Sequence, residues 1–463
     1  MIPLRLSEIA AVTGAQLHGP DQLIDGPVVT DSREAAAGSL YVARIGEVAD
    51  GHDYAPAAAA AGAVATLGSR PVDGMSTLVA DDVQEAFAKL AREVIERADR
   101  LRVIGITGSS GKTTTKDLLA QVLATVGETV APVGSLNSEV GVPLTVCRVT
   151  PSTDFLVAEM GASGVGHIAY LTRIAPPTIG IVLNVGSAHL GEFGSVEAIA
   201  RTKSELVQAL PESGLAILNA DDARVSAMAR QTTARVIRVG QAPDADVRCD
   251  DVVLDDSGRA RFTIVGLADE GPLPVSLQLY GAHQVGNALA VAVAAHELGL
   301  GGAAIARALE SARPVSRWRM EVHQLPTGVT LVNDAYNANP DSMKAALHAL
   351  AQMAGERRTV AVLGEMLELG DESEAAHRGV GETAASLGVT DVVAVGTGAA
   401  PIAAAAALGG VRVHQVADVE QAHNLLSDLL VSGDVVLLKS SRDSGLRYLG
   451  DRITVEQGGE ITQ

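Results

Sequence analysis

The run Gly108-Ser109-Ser110-Gly111-Lys112-Thr113-Thr114 lies between a β-branched stretch, "RVIGIT", and a polar-to-apolar pattern of helical period. A glycine turn that feeds a helix N-terminus leaves backbone N–H groups converging on one point, where the helix dipole adds its positive end. Such a turn binds phosphate. Lys112 offers a cation to the β- and γ-phosphates of ATP, and the Thr113 hydroxyl offers a ligand to Mg²⁺. The loop is shorter than usual, because the position five residues before Gly111 is Ile106 and the first glycine is Gly108. A plain glycine turn joining strand to helix is the alternative, and Lys-Thr directly after the second glycine argues against it.

A Mg²⁺–ATP site needs hard oxygen ligands. "VAEMGASG" places Glu159 at the end of an apolar strand, where sites of open α/β sheets cluster. "VLNVGSAHLGEFGS" places His189 beyond another such strand, and "IARTKSELV" puts Lys203 on a helix soon after. Singly, each has a plain reading: a solvated strand end, a loop residue, a surface cation. Their common position at one edge of one sheet favours a joint role.

The elements that must hold these residues follow from pattern. "RVIGIT", "DFLVAEM", "TIGIVLN" and "LAILN" are continuous apolar strands separated by helical stretches, which implies a parallel sheet covered on both faces. The stretch 245–280 alternates apolar and polar residues and reads as a small antiparallel insertion, followed by the helix "HQVGNALAVAVAAHELG". Near Pro314 the pattern restarts with "VTLVND", "RTVAVLG", "DVVAVG", "VRVHQV" and "DVVLLKSS". The expected architecture is α/β with three domains, 1–100, 101–313 and 314–463. The first is a small α/β unit, the second a phosphate-loop ATPase with a mainly parallel sheet, and the third a Rossmann-like α/β unit.

Composition narrows the class. A chain of 463 residues has room for about three domains of roughly 150 residues. Aromatics make up 2%, too few for base-stacking platforms, and a net charge of −20 repels nucleic acid and anionic lipid. Cys147 and Cys249 suggest a reducing compartment without a disulfide framework. Arg5 and Glu8 interrupt the apolar N-terminal segment, so it does not read as a secretion signal. The uncharged run Val392–Val411 contains Gly396, Gly398 and Pro401, and reads as strand, turn and helix rather than a membrane span. A cytoplasmic protein with neither nucleic-acid partner nor membrane insertion is expected.

The short loop, the Glu after the second strand, the Asn184…His189 segment and the following Lys203 resemble the Mur ligase family, ATP-dependent amide-bond ligases that build the peptidoglycan precursor peptide. "YGAHQVGNALAVA", the Arg319 of "RWRMEV", and "VTDSREAAAGSLYVARIGEVADGHDYAPAAAAAGA" are similar to family segments, and the likeness runs through the whole chain in order. "LVNDAYNANPDSM" and "GSLNSEVGVPLT" resemble the member that joins D-Ala-D-Ala to UDP-MurNAc-tripeptide. Two positions depart from the family pattern: Gln284 stands where Asn is usual, and Ser440 where glycine is expected.

The resemblance implies that ATP phosphorylates the terminal carboxylate and that the dipeptide amine attacks the acyl phosphate. It implies Gly108, Ser109, Ser110, Gly111, Lys112, Thr113 and Thr114 on the phosphates, and Asn287, Arg319, Asp334 and Asn337 on the nucleotide. Thr113 and Glu159 would hold one Mg²⁺; His189 and Lys203, the latter as a carbamate, would hold a second. Asp334 and Asn337 have an alternative as turn formers in "NDAYNANP". Ser32 is the expected uridine-nucleotide contact, Asn137 approaches substrate between domains, and a monomer is expected. The rivals are the ligase adding the third residue, folylpolyglutamate synthase, and an inactive nucleotide-gated binding protein.

Overall fold

The apolar runs of the sequence become the inner strands of three α/β domains in a computed structural model that describes residues 1–186, 190–268 and 270–461. Among the described residues the central sheet has nine strands. Its order is Leu273–Tyr280, Arg259–Val265, Val247–Leu254, Arg235–Gly240, Leu215–Asn219, Ile179–Val182, Arg102–Thr107, Phe155–Glu159, Thr129–Val130. The phosphate-loop strand Arg102–Thr107 therefore sits between Ile179–Val182 and Phe155–Glu159, parallel to both. Register pairs Ile106 with Glu159 and Thr107 with Val182, so three strand ends finish at one edge. Loops leaving neighbouring parallel strands at that edge form a crevice.

The stretch 245–280 is antiparallel as expected, but it is not a separate insertion. Val247–Leu254 pairs in parallel with Arg235–Gly240 at Val239 and Gly240, and this contact makes the antiparallel ribbon an extension of the central sheet. Both sheet faces are covered. Val103, Leu156 and Leu218 enter one core, while Ile104, Ile106, Val157, Ile181 and Ile217 enter the other, the period-2 alternation of strands. Each fully buried Val or Ile contributes about 1.5–3 kcal/mol of transfer free energy. The second core is closed by helices Lys112–Leu123 and Gln284–Glu297.

The N-terminal domain carries a five-stranded sheet and shares the first core with the central domain. The helix Val83–Glu96 makes that junction, starting at Asp82, whose side chain accepts from the Glu85 N–H, and burying Phe87, Leu90, Ala91 and Val94 on one stripe. The C-terminal domain has a six-stranded sheet, parallel except for the edge strand Glu321–Gln324. The linker into it is tied at both ends: Ser316 N–H donates to Asp117 of the phosphate-loop helix, and the Trp318 indole donates to Asp451.

Candidate active site

Gly111, at the N-terminus of helix Lys112–Leu123, has φ +80°, and a Cβ there would stand 3.0 Å from Asn287 Oδ1. A Cβ on Gly108 would meet Leu183 Cβ at 3.0 Å. Gly111 is thus favoured by its left-handed backbone, and both glycines sit where a side chain would be tight. The shortness of the loop has a counterpart in Asn184, just beyond strand Ile179–Val182. Asn184 Oδ1 accepts from the N–H groups of Ser109 and Ser110, each at 2.9 Å, and its Nδ2 donates to Ser110 O at 3.2 Å. Gly186 N–H donates to Ser109 Oγ at 2.9 Å. The Ser109 and Ser110 amides are thereby engaged with protein. Lys112, Thr113 and Thr114, the first three residues of the helix, keep N–H groups without an intrahelical acceptor.

Lys112 donates to Gly108 O at 2.8 Å, and burial holds its amine below the ordinary lysine range, with Glu159 opposing that shift and Arg319 adding to it. Glu159 is buried at 1% exposure; Asn137 Nδ2 donates to its Oε1 at 2.6 Å, while its Oε2 has no hydrogen-bond partner among the described residues. A buried carboxylate oxygen left bare carries a large desolvation cost unless a cation meets it. Thr113 is buried and lines the same cleft. No group of three His, Cys, Asp or Glu side chains clusters as a metal site among the described residues. One carboxylate oxygen, a hydroxyl and phosphate oxygens nonetheless form a donor set that suits Mg²⁺, which commonly takes few protein ligands beside a bound nucleotide.

Lys203 is buried, with no hydrogen-bond or ion-pair partner among the described residues. Desolvation first, then the charge of Lys112, push its amine well below the ordinary range. His189, the other expected ligand of a second metal, lies outside the described residues.

Two cavities meet at Lys112. The first, about 630 Å³, runs between the phosphate loop and the C-terminal domain and is lined by Thr113, Glu159, Asn287 and Arg319, among others. The second, about 740 Å³, opens toward the N-terminal domain and is lined by Gln84, His167, Tyr170 and Lys203, among others. Ser109, Lys112, Asn137 and Ser138 border both.

On the far wall of the first cavity Arg319 stacks over the Tyr336 ring at 4.4 Å. Asp334 is occupied: Lys439 Nζ donates to one carboxylate oxygen at 2.7 Å and Met320 N–H to the other at 3.0 Å. Asn337 Oδ1 accepts from Ala338 N–H, so both residues brace their turn as well as line the cleft. Gln284 keeps an amide in play, bridging His283 and Asn287 at 3.0 and 2.9 Å. Buried Ser440 bonds Ser444. The C-terminal loop 364–370 meets the central domain through backbone, with Gly191 N–H donating to Glu368 O at 2.9 Å. Ser32 lies apart from both cavities, in the single turn Ser32–Glu34 capped by Asp31, whose carboxyl Arg33 holds at about 2. Ser135, Tyr336 and Lys439 were not singled out by sequence pattern, and Asn184 only as the start of a family segment; their partners are too distant in the chain.

The comparisons with known proteins agree with this layout. Residues 27–109 match the family model "Mur ligase family, catalytic domain", 106–295 match "Mur ligase middle domain", and 318–442 match "Mur ligase, glutamate ligase domain". The UDP-N-acetylmuramoyl-tripeptide–D-alanyl-D-alanine ligase of Mycobacterium tuberculosis is 45% identical, covering 98% of this chain and 98% of that protein. The chain belongs to the Mur ligase family. A family relative of the same description from Escherichia coli is 36% identical over 96% of this chain and 97% of its own. Among solved Mur ligases, MurF from Acinetobacter baumannii superposes with a TM-score of 0.88 at 30% identity, covering 98% of this chain and 99% of that one. MurF ligase from Thermotoga maritima in complex with ADP gives 0.80 at 29% identity, covering 94% and 98%.

Proposed function

We infer that this chain is the ATP-dependent ligase that joins D-Ala-D-Ala to UDP-MurNAc-tripeptide, giving UDP-MurNAc-pentapeptide, ADP and phosphate. The observation that carries the reading is Lys112 at the meeting point of two cavities, one built for phosphates and one open toward the N-terminal domain. The tripeptide carboxylate enters from the second cavity and attacks the γ-phosphorus of ATP held in the first. ADP leaves, and the carboxylate becomes an acyl phosphate. The dipeptide amine then adds to the acyl carbon, the amide forms as phosphate departs, and the amine proton passes to solvent.

Bringing two anions together makes charge neutralisation and alignment the main task. Lys112 and Arg319 supply protein cations, and the N–H groups of Lys112, Thr113 and Thr114 orient phosphate oxygens. Gly108, Ser109, Ser110 and Gly111 shape the loop. Asn287, Asp334 and Asn337 frame the nucleotide, and Ser32 and Asn137 serve the UDP-substrate side. Mg²⁺, when bound, neutralises the phosphates, with Thr113 and Glu159 as its protein ligands. A second ion would use His189 and a Lys203 carbamate; the buried, deprotonation-prone Lys203 amine is the form that reacts with CO₂. The working division is a UDP-substrate domain over 1–100, an ATPase domain over 101–313 and a closing domain over 314–463. A cytoplasmic monomer fits this reading, and the described residues include no helix long and apolar enough to cross a membrane.

The test is ADP release from purified protein given ATP and UDP-MurNAc-tripeptide. Turnover should require D-Ala-D-Ala and be inefficient with single amino acids. Efficient addition of lysine or diaminopimelate to the dipeptide precursor would instead make the chain the third-residue ligase.

A further inference from the structure

The segment 135–139 touches all three domains within five residues. Ser135 Oγ lies 2.6 Å from the Tyr336 hydroxyl of the C-terminal domain. Asn137 holds Glu159 through its side chain, and its carbonyl accepts from Gly161 N–H at 2.9 Å. Glu139 O accepts from Gln84 Nε2 of the N-terminal domain at 2.6 Å. Two glycines pack closely on the segment: a Cβ on Gly141 would lie 2.5 Å from the Leu136 carbonyl carbon, and one on Gly161 would lie 2.8 Å from the Asn137 amide. Leu136 and Asn137, between Ser135 and Glu139, are thus packed closely on the backbone at Gly141 and Gly161. Tyr336 in turn carries Arg319 on its ring face and accepts the Trp318 ring alongside, 6.4 Å away and nearly parallel.

We propose that Ser135 and Tyr336 are positioning residues: their hydrogen bond, made when the C-terminal domain seats on the central one, fixes Glu159 through Asn137 as it brings Arg319 over the phosphate loop. Nucleotide capture and placement of the metal-facing carboxylate are then one event. The inference rests on the ligase reading for its catalytic consequence, but its coupling can be measured on nucleotide binding alone.

Tyr336→Phe keeps the ring under Arg319 and removes only the hydroxyl; Ser135→Ala removes its partner; Asn137→Ala removes the link to Glu159. ADP binding is measured by titration calorimetry. Each variant should weaken ADP·Mg²⁺ binding and lower kcat by about five- to tenfold, the worth of one hydrogen bond. The double variants Tyr336→Phe/Ser135→Ala and Ser135→Ala/Asn137→Ala should be little worse than the singles. Effects that multiply in the doubles, or singles within twofold of wild type, would overturn the relay. If the wild type binds ADP but fails to ligate the dipeptide, the ligase reading falls, and the binding cycle still decides the relay.

Discussion

Two buried clusters of charge differ in how their members are matched. At the base of the C-terminal sheet Arg358 donates to Asp391 at 2.9 Å and Asp434 at 3.1 Å, and His414 adds a contact to Asp391 at 3.0 Å. Both carboxylates are buried and both are satisfied. At the phosphate loop Lys203 has no partner among the described residues, Lys112 has only a neutral carbonyl, and one oxygen of Glu159 is bare. The same residue types serve architecture where they are paired and await ligands where they are not.

That contrast can be broken from either side. Lys112→Ala should lower the ligase rate by about 10²–10³-fold or more with the fold intact, since it removes a cation aimed at developing charge. A variant keeping a tenth of wild-type turnover, with an unchanged circular dichroism spectrum, would undo the assignment of the loop.

Lys203→Ala should lose nearly all turnover, with partial rescue by short carboxylic acids that reoccupy the space. Lys203→Met should lose turnover too, yet be more stable than wild type at neutral pH in CO₂-free buffer. The sign follows from linkage: between its lowered folded-state pKa and the ordinary lysine value near ~10, the unfolded chain binds the extra proton, so wild-type stability rises with pH through that window. The gap between the two proteins should shrink as pH approaches ~10. Urea midpoints that stay equal from pH 7 to ~10 would count against an unpaired buried amine.

The paired cluster should respond in the opposite manner. Asp391→Ala leaves Arg358 and His414 facing an emptied site and should cost about 3–5 kcal/mol of stability, while kcat of the folded fraction stays at the wild-type value. A large fall in kcat would give that cluster a part in catalysis. The smallest effect is expected at the exposed pair Arg378–Glu374, one helical turn apart, where Arg378→Ala should shift stability by no more than about 0.5 kcal/mol. A larger shift in the thermal midpoint would mean that exposed pairs count for more than the comparison allows.

Local pattern made much of this legible. The apolar runs became strands, the glycine turn became the loop, Glu159 ends a strand beside the loop, and Lys203, on helix Val196–Gln208, lines the second cavity with Lys112. Val392–Val411, uncharged throughout, resolved into the end of strand Asp391–Val395, a turn and helix Ala400–Leu408. What remained hidden was contact at distance. Ser135 and Tyr336 are 201 residues apart, and Asp334 and Lys439 are 105 apart; no periodicity marks such pairs. Alternation over 245–280 revealed antiparallel strands but not their seat on the central sheet, which depends on a two-residue register with Val239 and Gly240. Asn184 was visible only as part of a motif, since its role is to satisfy amides in a loop 74 and 75 residues earlier.

The backbone contact between Gly191 and the 364–370 loop has a thermal consequence. A Cβ on Gly191 would lie 2.7 Å from Gly370 N, so the two domains touch there as bare peptide. Opening that contact exchanges one backbone hydrogen bond for water at a net cost of about 1 kcal/mol. A hydrogen bond between two backbones buries little apolar area of its own, so this one contact adds little to the heat-capacity change of domain separation. That contact should therefore hold about as well in the cold as in warmth.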